Sequence, residues 1–298
     1  MEPLPSFIEK FQRENYGFSD KPAEGSVPDN MGYLKITDFL DPTSDAVGIT
    51  AKEKAHELLQ NMRGKKALII DLRGSHGGSP EMVEHILSYL LTEQDKTKIP
   101  DGVYNTLHDA STGSDKAHRV RDTDFCLNMP IRILIDEKTF SAAEEMAYDL
   151  QQINANSLRD GRIQVVGQNT TGGAHPMTGF PLVTLGANPT QEISQRVNPD
   201  YFMWVPDRTA INPYTHTNWE DGPKLRGEKP GVKPDVEIPV KQDALVTTVS
   251  ELATALNASR DVASRQALMT TGGGFISQST ATADVFVEQP KPGFVLGK

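Results

Sequence analysis

With 37% hydrophobic and 23% charged residues over 298 positions, the chain has an ordinary globular composition and ample length for a packed core. Its net charge of −10 and pI near 5.2 leave no basic excess to neutralise the phosphates of a nucleic-acid partner. No apolar run approaches the ~20 residues that span a bilayer, and the single cysteine, Cys126, excludes an intrachain disulfide or a cysteine-based metal cluster.

Residues 1–30 are polar, carry Pro3, Pro5, Pro22 and Pro28, and read as an arm or linker. The start, Met-Glu-Pro-Leu-Pro-Ser, has neither a basic n-region nor an apolar h-region. That leaves two expectations for compartment, the cytoplasm or a mature or truncated exported form. Gly32–Phe39 alternates enough for a first strand, and Thr50-x-x-Glu53 opens a helix with Ala55, Leu58, Leu59 and Met62 on one face. Ala67–Leu72 is nearly all apolar, the pattern of a strand buried on both faces of a parallel sheet. After a glycine turn, Ser79 is the expected N-cap and Pro80 the first residue of a helix carried by Val83, Ile86, Leu87 and Leu90.

Residues 92–128 are polar and read as an irregular surface excursion in which His108 and His118 are solvated. The order then repeats, with a strand at 131–135, a helix at 141–152 and a strand at 163–167. Strands alternating with helices imply right-handed βαβ crossovers, hence an α/β fold with a mostly parallel sheet. From Gly172 to Asp235 the chain is rich in Gly, Pro, Asn and Thr, with a strand expected at Tyr201–Val205. Residues 243–257 read as a last helix. The expected organisation is an arm over 1–30, one domain over 31–257 and a flexible tail over 258–298.

Thr139-Phe-Ser-Ala-Ala-Glu144 is the most informative stretch. A serine at a helix start lies near the positive dipole end and near unpaired N–H groups, both of which favour a developing oxyanion. Alone, the segment reads first as a Ser-x-x-Glu capping box. Two further segments, Asp71-Leu-Arg-Gly-Ser-His-Gly-Gly78 and Val165-Val-Gly-Gln-Asn-Thr-Thr-Gly-Gly-Ala-His-Pro176, also follow buried strands. In a parallel sheet all three meet in the crevice at the C-terminal strand ends. Asp71 and Arg73 are expected to pair within the fold. The chain contains no His-Glu-x-x-His, spaced His/Cys set, EF-hand loop, phosphate-binding loop or dinucleotide fingerprint, so neither metal nor cofactor is expected.

Together with Ile211-Asn-Pro-Tyr-Thr-His-Thr-Asn-Trp-Glu220 and Gly231-Val-Lys-Pro-Asp235, these motifs resemble the tail-specific (C-terminal-processing) serine protease family. The nearer likeness is to its branch without a PDZ domain, which includes tricorn-core-like enzymes and the non-proteolytic repeats of interphotoreceptor retinoid-binding protein. The resemblance covers about residues 31–245 and implies a ClpP/crotonase-like core of βαβ units. It implies Ser141 as nucleophile of a serine-type peptidase that hydrolyses peptide bonds through an acyl-enzyme. The oxyanion donors would be Ala142 and either Gly77 or Gly78, and the partner a peptide or protein substrate.

Two departures leave the general base open. The position of the family's lysine is Gly173, and the histidine of the tricorn-like branch's first strand is replaced by Lys35, in Gly32-Tyr-Leu-Lys35. Lys35 and His175 both stand as bases, with His76 as a third option. For the acidic partner, Glu220 matches the family by its neighbours and Glu228 by its distance to Gly231. A non-catalytic module binding a hydrophobic ligand or peptide is the alternative, and a crotonase-like thioester enzyme a third reading.

Overall fold

The apolar runs that alternate with helices in the sequence lie side by side in a computed structural model of the chain, which describes residues 15–43, 46–183 and 197–271. Two units are present, Met1–Thr254 and Ala255–Lys298, and the candidate site belongs wholly to the first. The expected arm up to residue 14 and the tail beyond residue 271 lie outside the described residues.

In chain order the elements begin with β1 (Phe18–Ser19), β2 (Met31–Ile36), α1 (Ala46–Asn61), β3 (Ala67–Asp71), α2 (Pro80–Tyr89) and the short α3 (Glu93–Lys96). They continue with β4 (Val103–Asp109), β5 (Ser114–Arg119), β6 (Ile131–Ile135), α4 (Ala142–Ile153) and β7 (Ile163–Gly167). The last are β8 (Met177–Val183), β9 (Val197–Pro206), β10 (Arg208–Ile211), α5 (Asp221–Leu225), β11 (Val236–Glu237) and α6 (Ala244–Thr271). The main sheet runs β1-β2-β3-β6-β7-β11, every pair parallel except β1 with β2.

Strands β3 and β6 are buried along their whole length, as runs covered on both faces must be. Each fully buried Leu or Ile contributes about 1.5–3 kcal/mol of transfer free energy. Ser79 caps α2 by accepting from the Glu81 N–H (3.2 Å), with Pro80 at the first helical position. Within the segment read as an arm, Phe18 is buried and β1 pairs with β2, because Gly17 and Thr37 bring the chain back onto the sheet edge (Thr37 N to Gly17 O, 2.8 Å).

Three expectations change. Helix α1 already includes Ala46, and Thr50 lies inside it with its hydroxyl donating to the Ala46 carbonyl (2.8 Å); it is not a cap. The last helix continues to Thr271. The largest difference is in 92–128, which is no irregular excursion: β4 and β5 form an antiparallel hairpin that β10 extends into a three-stranded sheet, β10-β4-β5.

This second sheet packs over α2 and α4, so its inner face is dry. His118 is 1% exposed and faces Asn105, its cross-strand partner, which is fully buried. His108 remains outside, beside Asp115 (2.7 Å). Helix α4 is therefore buried on nearly every side, including Glu144, Glu145 and Asp149. No helix among the described residues is long and apolar enough to cross a membrane.

Candidate active site

The turns after β3, β6 and β7 meet at one edge of the main sheet and wall a cavity of about 540 Å³. Gly78 from the first turn, Ser141 and Ala142 from the second, and Gly173, Ala174 and Pro176 from the third all line it. Leu107, Trp204, Ala210 and Trp219 add apolar wall. The cavity lies where the parallel topology puts ligand crevices, at the carboxyl ends of the strands.

Ser141 stands at the head of α4 with φ 57° and ψ −126°. A non-glycine residue at positive φ costs about 1–3 kcal/mol and persists only where its surroundings fix it. Here the restraints come from every side. The Glu144 carboxylate accepts from the Ser141 N–H (2.8 Å), and the Ser141 carbonyl accepts from Glu145 N–H (3.0 Å). One residue earlier, Phe140 N–H donates to Ser75 O (3.0 Å), and the buried Thr139 hydroxyl donates to Leu72 O (3.0 Å).

Glu144 joins the turns after β6 and β7. It is fully buried and accepts from Ser141 N, from the Thr170 hydroxyl (2.5 Å) and from Gly172 N (2.6 Å). Burial raises its pKa in spite of those hydrogen bonds. The capping box read from the sequence is thus half of what Glu144 does; the other half is a tie to the turn after β7.

The glycine turn packs directly beneath the serine. A Cβ on Gly77, which has φ +86°, would lie 2.6 Å from the Ser141 Cβ and 2.8 Å from Ala142 N. The carbonyl of Gly77 is taken by Phe39 N–H (2.7 Å) and the N–H of Ser79 by Phe39 O (2.6 Å). The N–H groups of Gly77, Gly78 and Ala142 take no partner among the described residues. Unpaired donors beside a strained serine form the arrangement that an oxyanion hole requires.

The other sequence candidates lie elsewhere. Lys35 donates to the Arg73 carbonyl and sits 3.4 Å from Asp71, whose carboxylate also takes Tyr33 OH (2.8 Å) and the Arg73 guanidinium (2.7 Å). Burial alone would raise Asp71, but the Arg73 hydrogen bond and the Lys35 charge hold it below the usual carboxylate range. His175 has both ring nitrogens engaged, Nδ1 with the Thr209 hydroxyl (3.2 Å) and Nε2 with Asp221 (3.0 Å). His76 is exposed and paired with Asp38 (3.1 Å).

Glu220 accepts from Ala174 N (3.0 Å) and from Lys224 (2.6 Å), so it anchors the cavity wall. Glu228 pairs with Arg226 (2.8 Å) at a half-exposed position and lines a different cavity, with Tyr148 and Lys233. Of the candidates, the structure brings together Ser141, Ala142, Gly77 and Gly78, with Glu220 one residue behind the wall. Lys35, His175 and Glu228 are not among the described residues that line the Ser141 cavity.

The model of peptidase family S41 matches residues 30–238. The chain belongs to peptidase family S41. Among solved structures, this S41 chain is similar to a candidate S41 protease from Bacteroides fragilis NCTC 9343, at TM-score 0.53 and 16% identity, over 80% of this chain and 57% of that one. It is also similar to a lipoprotein from Streptococcus agalactiae, at TM-score 0.50 and 18% identity, over 83% and 73%. A photosystem II D1 C-terminal processing protease matches at TM-score 0.47 and 19% identity, over 75% of this chain and only 47% of its own length. The first two likenesses speak to the fold, an α/β core with a mostly parallel sheet.

Sequence reasoning missed the groups beside the serine. Lys116 and Glu81 form an ion pair in the cavity wall, and Glu145 lines the cavity from within α4. Asp221 is the partner of His175. Glu145 lies four residues after Ser141 and four before Asp149, on a flank of α4 that no sequence motif marks as buried. Among the described residues no group of three or more His, Cys, Asp or Glu is placed to hold a metal ion.

Proposed function

We propose that this S41 chain is a serine-type peptidase that cleaves peptide bonds through an acyl-enzyme on Ser141. The observation that carries the reading is the strained Ser141 in the cavity wall, with the unpaired N–H groups of Ala142 and the glycine turn beside it. Ser141 Oγ attacks the substrate carbonyl, and the N–H groups of Ala142 and of Gly77 or Gly78 receive the oxyanion. Removing one such donor typically costs about 10²–10³ in kcat. Leu107, Trp204 and Trp219 suit an apolar side chain next to the scissile bond.

Lys35 and His175 already hold other partners, so the proton acceptor has to come from the cavity wall. Their engagement is also the observation behind a second reading, a non-catalytic module that holds a hydrophobic ligand or peptide in the same cavity.

A fluorophosphonate probe separates the two. The peptidase reading expects covalent labelling of wild type, none in Ser141→Ala, and parallel loss of peptide hydrolysis with an almost unchanged melting temperature. Wild type that stays unlabelled from pH 5 to 9 would overturn it in favour of binding.

A further inference from the structure

Three carboxylates line the cavity with Ser141 among the described residues: Glu81, Asp109 and Glu145. Glu81 is spoken for. It pairs with Lys116, accepts from the Ser79 hydroxyl (2.5 Å), and against its own burial is pulled down to about 2. Asp109 is solvent-facing and holds the Ser111 hydroxyl (2.6 Å) and the Thr112 N–H (3.0 Å), which keep it low. Neither is a useful base near neutrality.

Glu145 is different in each respect. It is 3% exposed, and among the described residues it has no ion pair and its Oε1 has no hydrogen-bond partner. A buried, unpartnered carboxylate oxygen is costly and calls for a reason. The residue follows Ser141 by one helical turn, and its N–H donates to the Ser141 carbonyl (3.0 Å), so the two side chains share one flank of α4. Both open on the same cavity.

We propose that Glu145 is the general base for Ser141 and that the buried His118 is its positioning residue. The assignment rests on the reading of Ser141 as nucleophile. As the Oγ–C bond forms, the Oγ–H bond breaks and the proton passes to the Glu145 carboxylate, while the carbonyl electron pair moves onto oxygen. On collapse the C–N bond breaks, and Glu145 returns the proton to the departing amine nitrogen. Water then adds to the acyl carbon, giving its proton to Glu145, which hands it to Ser141 Oγ as the ester bond breaks.

The surroundings fit a base poised near working pH. Burial pushes Glu145 above the usual carboxylate range, the His118 imidazole and the Asn105 side-chain amide draw it back, and Glu81 and Glu84 push it up again. The groups around it come from four elements. They are Asp149 on α4 itself, Tyr104 and Asn105 on β4, His118 and Lys116 on β5, and Glu81 and Glu84 on α2. His118 lies 3.4 Å from Glu84 Oε2, which ties the imidazole to α2.

The test is the fluorophosphonate labelling rate of the full chain as a function of pH. In wild type the rate should rise along a limb whose midpoint lies above the ordinary glutamate value of ~4.3. Glu145→Gln should label about 100-fold more slowly or worse, with that limb gone. His118→Gln, which removes the attraction that lowers Glu145, should shift the limb to higher pH.

Glu145→Gln labelling at the wild-type rate with an unchanged profile would sink the proposal while leaving Ser141 as the nucleophile. Absence of labelling in wild type would instead sink the Ser141 reading first. Should Glu145→Gln not fold, as read by circular dichroism, an unmoved limb in His118→Gln decides against the assignment.

Discussion

At the scale of single residues, the site depends on how closely Gly77 approaches Ser141. The glycine is needed twice over, for its φ of +86° and because a methyl group there would overlap the serine and its neighbour. Gly77→Ala is expected to abolish fluorophosphonate labelling and to lower stability by about 1–3 kcal/mol, measured by urea denaturation. Labelling at the wild-type rate would mean that the turn does not hold the serine. Ser141 and its glycine turn were legible in the sequence because the signals are local: an apolar strand, glycines after it, then a helix start. Glu145 was not, because a carboxylate on an amphipathic helix reads as solvated until the element that covers it is known.

At the scale of elements, the unread piece was the β4–β5 hairpin. Its strands carry Asn105, His108 and Thr106 on one arm and Asp115, Lys116 and His118 on the other, so hydropathy does not alternate. The buried positions mix Tyr104 and Leu107 with the polar Asn105 and His118, and period-two patterning is blind to a part-polar interior. The central strands β3, β6 and β7 were legible for the opposite reason, since burial on both faces leaves a continuous apolar run. Element contacts also rest on Thr170, whose hydroxyl donates to Glu144 and accepts from Val232 N–H (2.7 Å). Thr170→Val removes both links and leaves a buried N–H unmatched, so a loss of about 1–3 kcal/mol is expected in a denaturant titration. A change below a few tenths of that range would show the turn to be held by other contacts.

At the scale of the whole molecule, buried acids of two kinds give stability a maximum in mild acid. Asp71 is held below its ordinary pKa of ~3.9, so its contribution is complete above that value and is lost as pH falls through the folded one. Asp149 and Glu145 are raised by burial, and the Glu145 charge pushes Asp149 up further. A raised acid binds more protons folded than unfolded, so stability declines as pH climbs from about 4 toward the raised values. Melting temperature should therefore fall between pH 5 and pH 8, and Asp149→Asn should flatten that fall. A melting temperature that rises over this range in wild type would contradict the assignment of these carboxyls as burial-raised.

The hairpin that roofs α4 has one more consequence. Water around Glu145 would return its carboxyl from about 7 to the ordinary glutamate value of ~4.3, leaving a base several hundred times weaker in proton affinity. β4 and β5 contribute His118 and Asn105, but their larger contribution is to exclude solvent from behind the carboxylate. The strands least visible in the sequence act as electrical insulation for the carboxylate beside Ser141, and a leak in that insulation would disable the proposed base without touching Ser141.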